Sequence, residues 1–238
     1  MRGRGKARFQ ATMRDRSGHR VRTRVDSPAV TRPALRALQG EIASCTFCPS
    51  MEPWRQFKPD ASGTHSTGFL LVGEAPGYVS WKKRQRFTGP AGMLIRRALR
   101  QVGHLRYRDL EDLFYMTDVV KCHPAPPANP QSNRSPTQAE VDACSGYLER
   151  ELRVLHPSVI ITFGKAAAEN VARAVARAAK VEMRGRPQPE VMTFPHPSPR
   201  NQLAILKQYP SMRAFEDALA VTFHRLIARL EAPKGREA

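Results

Sequence analysis

The four cysteines are the residues whose type and spacing point most directly to a chemistry. Cys45 and Cys48 form a C-x2-C pair, and Cys122 and Cys144 follow after a long gap. Disulfides are not expected without a secretory signal, and two core thiols beside a chance C-x2-C pair are the structural alternative. We favour a tetrathiolate metal site. Because zinc and iron–sulfur clusters both accept four cysteines, the spacing leaves the metal open.

Three short motifs at the ends of predicted strands carry polar groups that can act on a ligand. "GEAPG" (73–77) has one carboxylate, Glu74, between glycines that let a ligand approach the backbone closely. "HPSP" (196–199) supplies His196, and "TDVVKCHP" (117–124) supplies Asp118, an acid within an apolar run. A tight turn and a structural histidine are the alternatives for the first two motifs, so each alone is a weak signal.

An alternation of short apolar strands and helices predicts how these motifs are brought together. The predicted strands are 69–73, 113–120, 158–164 and 190–195, and the predicted helices are 34–44, 91–103, 136–155, 165–180 and 211–232. This alternation implies βαβ units and a parallel sheet covered on both faces. The predicted fold class is α/β, with three α/β/α layers around a central four-stranded parallel sheet. Ligands bind at the carboxyl ends of such strands, so we expect the three motifs to meet at one edge.

Two helices show signals that go beyond periodicity. Thr137 and Glu140 have the spacing of a capping box at the start of the third predicted helix. The last helix spaces apolar residues three or four apart, which predicts a core face of Met212, Phe215, Leu219, Phe223, Leu226 and Leu230. We expect one domain over 27–232, between a basic, flexible arm (1–26) and a short tail (233–238).

The charge of the chain is strongly positive and unevenly distributed. The formal net charge is +18 and the pI is about 10.7, and residues 1–24 hold nine Lys or Arg and one acid. This balance predicts a polyanionic partner, most simply nucleic acid. The start has no apolar stretch of a secretory signal; a nucleic-acid-binding arm is favoured over a mitochondrial transit peptide or a solubilising tail. No apolar run reaches the ~20 residues of a membrane span, and we expect a cytoplasmic, nucleoid-associated monomer.

The motifs together resemble those of a known family. "GEAPG", "FTGPAG", "VVKCHP", "NRSPTQAE" and "HPSP" occur in this order, and from Cys45 to about Leu230 the sequence resembles the family 4 uracil-DNA glycosylases. The resemblance implies a uracil-DNA glycosylase-like fold and a monofunctional DNA N-glycosylase. Such an enzyme flips uracil or another deaminated base out of DNA and hydrolyses its N-glycosidic bond, which leaves an abasic site for base excision repair. It also implies a 4Fe-4S cluster on the four cysteines, with zinc in reserve.

The resemblance assigns roles to residues around the base. Glu74 would orient or activate the attacking water, and Phe87 would stack on the base, unless it is simply a core phenylalanine. His196 would donate a hydrogen bond to uracil O2 as negative charge builds there. Gly73 and Ala75 would lie beside the base, although more distant branches carry an acid at position 75.

Two surface stretches are expected to contact DNA. The "HPSP" motif and the residues after it would bond a phosphate and press into the minor groove. "SWKKRQR" (80–86) departs from the "ED..GRP" pattern of the family and places cations beside the pocket, where they would grip the DNA backbone and steepen the salt dependence of binding. A solvated charged loop is the alternative. The expected DNA-binding residues are Ser198, Pro199 and Arg200, together with Lys82, Lys83, Arg84 and Arg86.

Asp118 is a second departure, because the family carries Asn at this place within "TNVVKC". The amide of that Asn accepts from uracil N3–H and donates to O4, whereas an ionised carboxylate has no donor. Three outcomes are open: a protonated Asp118 that mimics the amide, a shifted base preference, or weak catalysis. We expect slower uracil excision than in Asn-bearing relatives, and Asp118→Asn should then be faster.

Other functions are compatible with the same residues. A catalytically impaired relative would bind DNA through the same fold and cluster without releasing a base. An electron-transfer protein is disfavoured, because it needs neither the stacking Phe87 nor the "HPSP" motif. A covalent mode of DNA capture is also disfavoured, since 123–133 lacks the basic "KRRIH" loop of the branch that uses it.

Overall fold

The computed structural model describes residues 12–14, 20–22, 28–54, 59–181 and 187–232. The strands in this part of the chain are β1 (Thr12–Arg14), β2 (Arg20–Arg22), β3 (Phe69–Gly73), β4 (Tyr115–Asp118), β5 (Val159–Phe163) and β6 (Glu190–Phe194). The α-helices are α1 (Pro28–Ser44), α2 (Tyr78–Lys83), α3 (Pro90–Gln101), α4 (Leu110–Leu113), α5 (Gln138–Leu155), α6 (Lys165–Val181), α7 (Gln202–Leu206) and α8 (Met212–Glu231). Short 3-10 helices cover Pro49–Trp54, Pro59–Ser62 and Pro199–Asn201.

Four strands form one parallel sheet in the order β4-β3-β5-β6. Gly73, the last residue of β3, lies opposite Asp118, the last residue of β4. From β3 the chain moves to β4 on one side and then to β5 on the other side. This reversal creates a switch point at the carboxyl ends of the strands, which is where open α/β sheets bind ligands.

Helices cover both faces of the sheet and complete three layers. On one face, α3 and α8 pack against alternate strand residues, with Leu99 and Phe223 among the buried contacts. On the other face, α1, α5 and α6 pack through residues such as Leu38, Leu148 and Val171. The predicted α/β fold with a central four-stranded parallel sheet is therefore confirmed.

The second predicted strand is shorter in the structure than its apolar run. The run over 113–120 begins inside α4, a short helix that was not predicted from the sequence. The Asp109 side chain accepts from the backbone N–H of Leu110, and Asp112 completes a capping box with it. These caps stabilise a turn of helix ahead of β4, which starts only at Tyr115.

The predicted helix signals agree with the structure. Thr137 caps α5 and forms a capping box with Glu140. Along α8 the predicted core face contains Phe215, Leu219, Phe223 and Leu226, all fully buried, while Met212 and Leu230 are only partly buried at its ends.

The N-terminal segment contributes one feature that was not predicted. β1 and β2 pair antiparallel within the predicted arm, with Met13 opposite Val21. The rest of the arm before Pro28 and the tail at 233–238 lie outside the described residues, so the predicted domain bounds stay a prediction. Among the described helices, none is long and apolar enough to cross a membrane.

Candidate active site

A cavity of about 490 Å³ opens at the carboxyl ends of the parallel strands, and we call it the strand-end cavity. Gly73, Asp118 and Phe163, the last residues of β3, β4 and β5, all line it. It is also lined by Glu74, Ala75, Arg86, Phe87, Asn133, Ser135, His196, Ser198, Pro199 and Arg200, among others. The three strand-end motifs therefore meet at one site, as the fold prediction required.

The loop after β3 places Glu74 on the cavity wall. The carbonyl oxygens of Gly73 and Glu74 accept from the backbone N–H groups of Val119 (2.9 Å) and Val120 (3.0 Å), which fixes the loop against the end of β4. Burial raises the pKa of the half-buried Glu74 carboxyl, and a hydrogen bond from the Ser135 side chain opposes that rise. Glu74 is thus a carboxylate whose basicity is increased by its surroundings.

Phe87 lines the cavity with its backbone in the left-handed region, at φ 53°. A Cβ atom at Gly92 would lie 2.0 Å from the Phe87 carbonyl oxygen, so the close approach of these backbones needs glycine. The buried Arg96 donates to the carbonyl oxygens of Phe87 (Nε, 2.9 Å) and Arg86 (2.7 Å). Arg96 in turn is held by ion pairs with Asp109 and Glu111.

Asp118 is buried at the cavity wall and forms an ion pair with Arg86. Arg86 was predicted to contact the DNA backbone with its neighbours; the structure instead buries its side chain to 7% exposure inside the site. The reason is electrostatic, since the cation is drawn to the buried carboxylate at the end of β4. Burial raises the pKa of Asp118, while the charges of Arg86 and Lys121 oppose the rise.

A buried polar network beneath β4 fixes the position of Asp118. The ammonium of Lys121 donates to the Asp118 carbonyl oxygen (2.6 Å), to Thr117 Oγ1 (2.8 Å) and to Glu151 Oε2 (2.6 Å). Glu151 also accepts from Thr117 and from the hydroxyl of Tyr115. Because every charge in the network has a partner, the end of β4 is held in one arrangement.

The other three cations predicted within 80–86 do not line the cavity and form an exposed ridge at the end of α2. Lys82, Lys83 and Arg84 are all exposed. The Lys82 ammonium lies 5.9 Å from the Tyr78 ring centroid and the Arg84 guanidinium 5.7 Å from that of Trp81. The ridge therefore presents cations packed on aromatic rings, between Ser80 and Arg86, which both line the cavity.

His196 follows β6 and also lines the cavity. The side chain of Asn201 donates to its backbone carbonyl oxygen at 2.9 Å, and Gly164, at φ 89°, would bring a Cβ within 3.3 Å of the His196 Cβ. Burial lowers the pKa of the imidazole, which favours its neutral form. Ser198 is half-buried, and Pro199 and Arg200 are exposed at the cavity rim.

The four cysteines pack around one core cluster on the α1–α5–α6 face. Cys144 is buried there, and Cys45, Cys48 and Cys122 are packed against it half-buried. In the part of the chain that the structure describes, no three His, Cys, Asp or Glu side chains are placed to hold a metal ion. The donor set nevertheless has the right chemistry, since all four thiols are free of disulfides.

Several residues of the site were not predicted individually. Ser135 and Asn133 belong to the quoted "NRSPTQAE" motif, and the Asn133 side chain accepts from the backbone N–H of Tyr78 (2.8 Å) at the start of α2. Little in the sequence indicated the role of Arg96, because a single arginine within a predicted helix is usually a surface residue. Only the tertiary structure shows it buried at 2% exposure.

The fold and the cavity define an α/β protein with a polar ligand site at the switch point of a parallel sheet. A family model described as the uracil DNA glycosylase superfamily matches residues 61–220, which include the sheet and the cavity. The chain therefore belongs to the uracil-DNA glycosylase superfamily.

Curated relatives named type-4 uracil-DNA glycosylase are similar to parts of the chain. The relative from Archaeoglobus fulgidus is 36% identical over 129 residues, 54% of this chain and 59% of the relative. The one from Sulfurisphaera tokodaii is 33% identical over 135 residues, 56% of this chain and 55% of the relative. The one from Pyrobaculum aerophilum is 33% identical over 146 residues, 61% and 68% respectively. The chain thus spans little more than half the length of the first two relatives.

Proposed function

We propose that the protein is a DNA N-glycosylase that releases uracil from DNA by hydrolysis and leaves an abasic site for repair. The observation that carries this proposal is the strand-end cavity, where Glu74, Phe87, Asp118 and His196 converge in a chain of this superfamily. A volume of about 490 Å³ is within the range of small-ligand sites and accommodates a single flipped base.

The cavity residues suit the charge changes of glycosidic hydrolysis. The Phe87 ring offers a stacking face for the base. Glu74, with its raised pKa, can accept a proton from the water that adds to the sugar. His196, kept neutral by burial, can donate from a ring N–H to a carbonyl oxygen of the departing anionic base.

The proposed contacts to DNA lie around the cavity mouth. The exposed cations Lys82, Lys83 and Arg84 suit phosphate oxygens, while Ser198, Pro199 and Arg200 at the rim suit the backbone and minor groove beside a flipped nucleotide. Replacing the three α2-ridge cations with Gln should lower the log–log salt slope of DNA binding by about 0.9 for each phosphate that the protein no longer neutralises. The matched control is the triple replacement of Arg173, Arg177 and Lys180 on α6, which removes the same charge outside the cavity.

We propose that Cys45, Cys48, Cys122 and Cys144 hold a 4Fe-4S cluster, with zinc as the reserve. Four cysteines that form no disulfide and pack at one core cluster support this assignment. When bound, the cluster would cross-link the end of α1 to the segment after β4 and to α5, and no step of base release is assigned to it. Absorbance near ~400 nm with stoichiometric iron would support the cluster, and zinc without iron would support the reserve.

Base release from single-stranded and duplex oligonucleotides tests the activity. We expect wild type to release uracil, and Glu74→Gln and His196→Asn to be slower by about a hundredfold or more. Glu190→Gln is the control, since that carboxylate pairs with Arg229 at the surface. DNA binding without release by wild type would instead support the catalytically impaired DNA-binding relative.

A further inference from the structure

The ion pair of Arg86 and Asp118 occupies an unusual position for two charges. The η1 nitrogen of Arg86 donates to Asp118 Oδ2, and the two side chains are only 7% and 6% exposed. Both residues line the strand-end cavity, although one follows α2 and the other ends β4. Because desolvation makes a buried ion pair a poor source of stability, its location on the cavity wall points to a role toward the ligand.

The second carboxylate oxygen of Asp118, Oδ1, lies near the Phe87 ring on which we propose that the base stacks. A Cβ atom at Gly73 would be 2.4 Å from Asp118 Oδ1 and 3.5 Å from Cζ of Phe87. Asp118 Oδ1 and the Phe87 ring therefore both border the space that the missing Gly73 side chain leaves. The backbone of Arg86 and Phe87 is fixed by Arg96, so the guanidinium and the ring are positioned together.

The two side chains have complementary hydrogen-bonding abilities. An ionised carboxylate only accepts, and a guanidinium only donates. Side by side they present an acceptor and a donor, as a single amide group does. Uracil displays the complementary edge, with N3–H beside the O4 carbonyl.

Charge development favours the same arrangement. When the glycosidic bond breaks, its electron pair leaves with the base, water adds to the sugar, and negative charge grows on the base oxygens. A lone buried carboxylate would repel that charge. A guanidinium donating to a base oxygen interacts more strongly as the charge grows, which is the condition for lowering the barrier.

We propose that Arg86 is a specificity-determining residue that works as one unit with Asp118. The carboxylate accepts from a ring N–H of the base, and the guanidinium donates to the neighbouring carbonyl oxygen. The inference rests on the proposed function and refines its substrate class to bases with an N–H beside a carbonyl, such as uracil and hypoxanthine, against cytosine and adenine. It also reverses the expectation for Asp118→Asn, which alone removes the charge that balances Arg86 and should slow release.

A double-mutant cycle tests whether the two residues act together. The kcat/KM for uracil release is measured for wild type, Arg86→Gln, Asp118→Asn and the double variant. We expect each single variant to lose about a hundredfold. The double variant has no buried charge at either position. Its kcat/KM should therefore be at least about tenfold higher than the value obtained by multiplying the two single losses. Losses that simply multiply would overturn the proposal, as would an Arg86→Gln variant with unchanged rate and base preference.

Separate readouts distinguish recognition from a purely structural effect. Inhibition by free uracil should weaken in Arg86→Gln while binding of abasic DNA stays within about threefold, and Arg86→Lys should restore part of the rate because it keeps the charge. If all variants lost the binding of free uracil and the binding of abasic DNA to the same extent, the role of the pair would be structural only. Should the two charge-removing single variants, Arg86→Gln and Asp118→Asn, fail to fold, the comparison of wild type, Arg86→Lys and the double variant still decides the question.

The proposed function fails separately from this inference. If wild type releases no base from any oligonucleotide, the glycosylase proposal is wrong, and titration of wild type and Arg86→Gln with free uracil and free cytosine still tests the pair. Binding of uracil by wild type that Arg86→Gln weakens supports the recognition pair. Equal binding of uracil by both proteins, or preference of wild type for cytosine, refutes it.

Discussion

Gly92 controls the position of Phe87 through the absence of a side chain. A Cβ atom at this position would lie 2.0 Å from the Phe87 carbonyl oxygen and 2.4 Å from its Cα. Both contacts are to backbone, so Gly92→Ala must displace the segment that carries the ring. That segment resists displacement, because Arg96 binds the carbonyl oxygens of Arg86 and Phe87.

Two opposing contributions set the size of the effect. Alanine gains about 1 kcal/mol over glycine within a helix, whereas overpacking against fixed atoms costs about 1–3 kcal/mol. With a rigid backbone as the neighbour, the overpacking cost should lie in the upper half of its range, at about 2–3 kcal/mol, and we expect a net loss of about 1–2 kcal/mol. For a chain of this size that lowers the Tm by about 2–8 °C. Lost base stacking of about 1–3 kcal/mol should lower kcat/KM for uracil release about 5- to 150-fold.

Gly89→Ala is the matched control, since it adds the same methyl group three residues earlier, at the residue that precedes α3. Its Cβ would meet only the Val79 Cβ, at an ordinary 3.9 Å, so its kcat/KM should stay within about threefold of wild type. Thermal unfolding and single-turnover base release of both variants make the comparison. A Gly92→Ala variant that releases uracil as fast as Gly89→Ala would refute the link between this close approach and Phe87.

Three further predictions concern stability and the cysteines. Arg96→Gln should cost about 3–5 kcal/mol in unfolding free energy because it breaks a buried charge network; Arg97→Gln, at a half-exposed neighbouring ion pair, should cost at most about 1 kcal/mol. Burial lowers the pKa of His196 in the folded protein, so the unfolded chain binds the proton first and the unfolding free energy falls as the pH drops below about 6.5. In His196→Asn this fall should be smaller by at most about 1.4 kcal/mol per pH unit, as measured by denaturant unfolding at several pH values. Cys122→Ser should reduce both bound iron and the absorbance near ~400 nm, whereas an unchanged iron content would remove Cys122 from the proposed ligands.

The layered fold was predictable because it follows from local patterns. Apolar runs such as 69–73 and 158–164 are buried along the strands that they form, and continuous burial is the signature of parallel strands covered on both faces. α4 was missed because it is only four residues long, too short to show helical periodicity, and its last residue, Leu113, opens the apolar run that predicts a strand. The capping box of Asp109 and Asp112 accompanies the helix in the structure.

The motifs that form the site could be predicted from the sequence, whereas the contacts between individual side chains within it could not. Glu74, Phe87, Asp118 and His196 line one cavity, as the strand-end reasoning required. The burial of Arg86 was not predictable, because a cation in a run of cations gives no local sign that its carboxylate partner lies 32 residues away.

The ion pair between Arg86 and Asp118 has a consequence for anyone who alters this protein by directed evolution. Replacing either residue alone by a neutral one leaves a single buried, unbalanced charge, at a cost of about 3–5 kcal/mol. Screens that mutate one codon at a time will therefore reject neutral residues at both positions. A library that randomises the two codons together, and so samples neutral pairs directly, is the route by which base preference at this cavity can be changed.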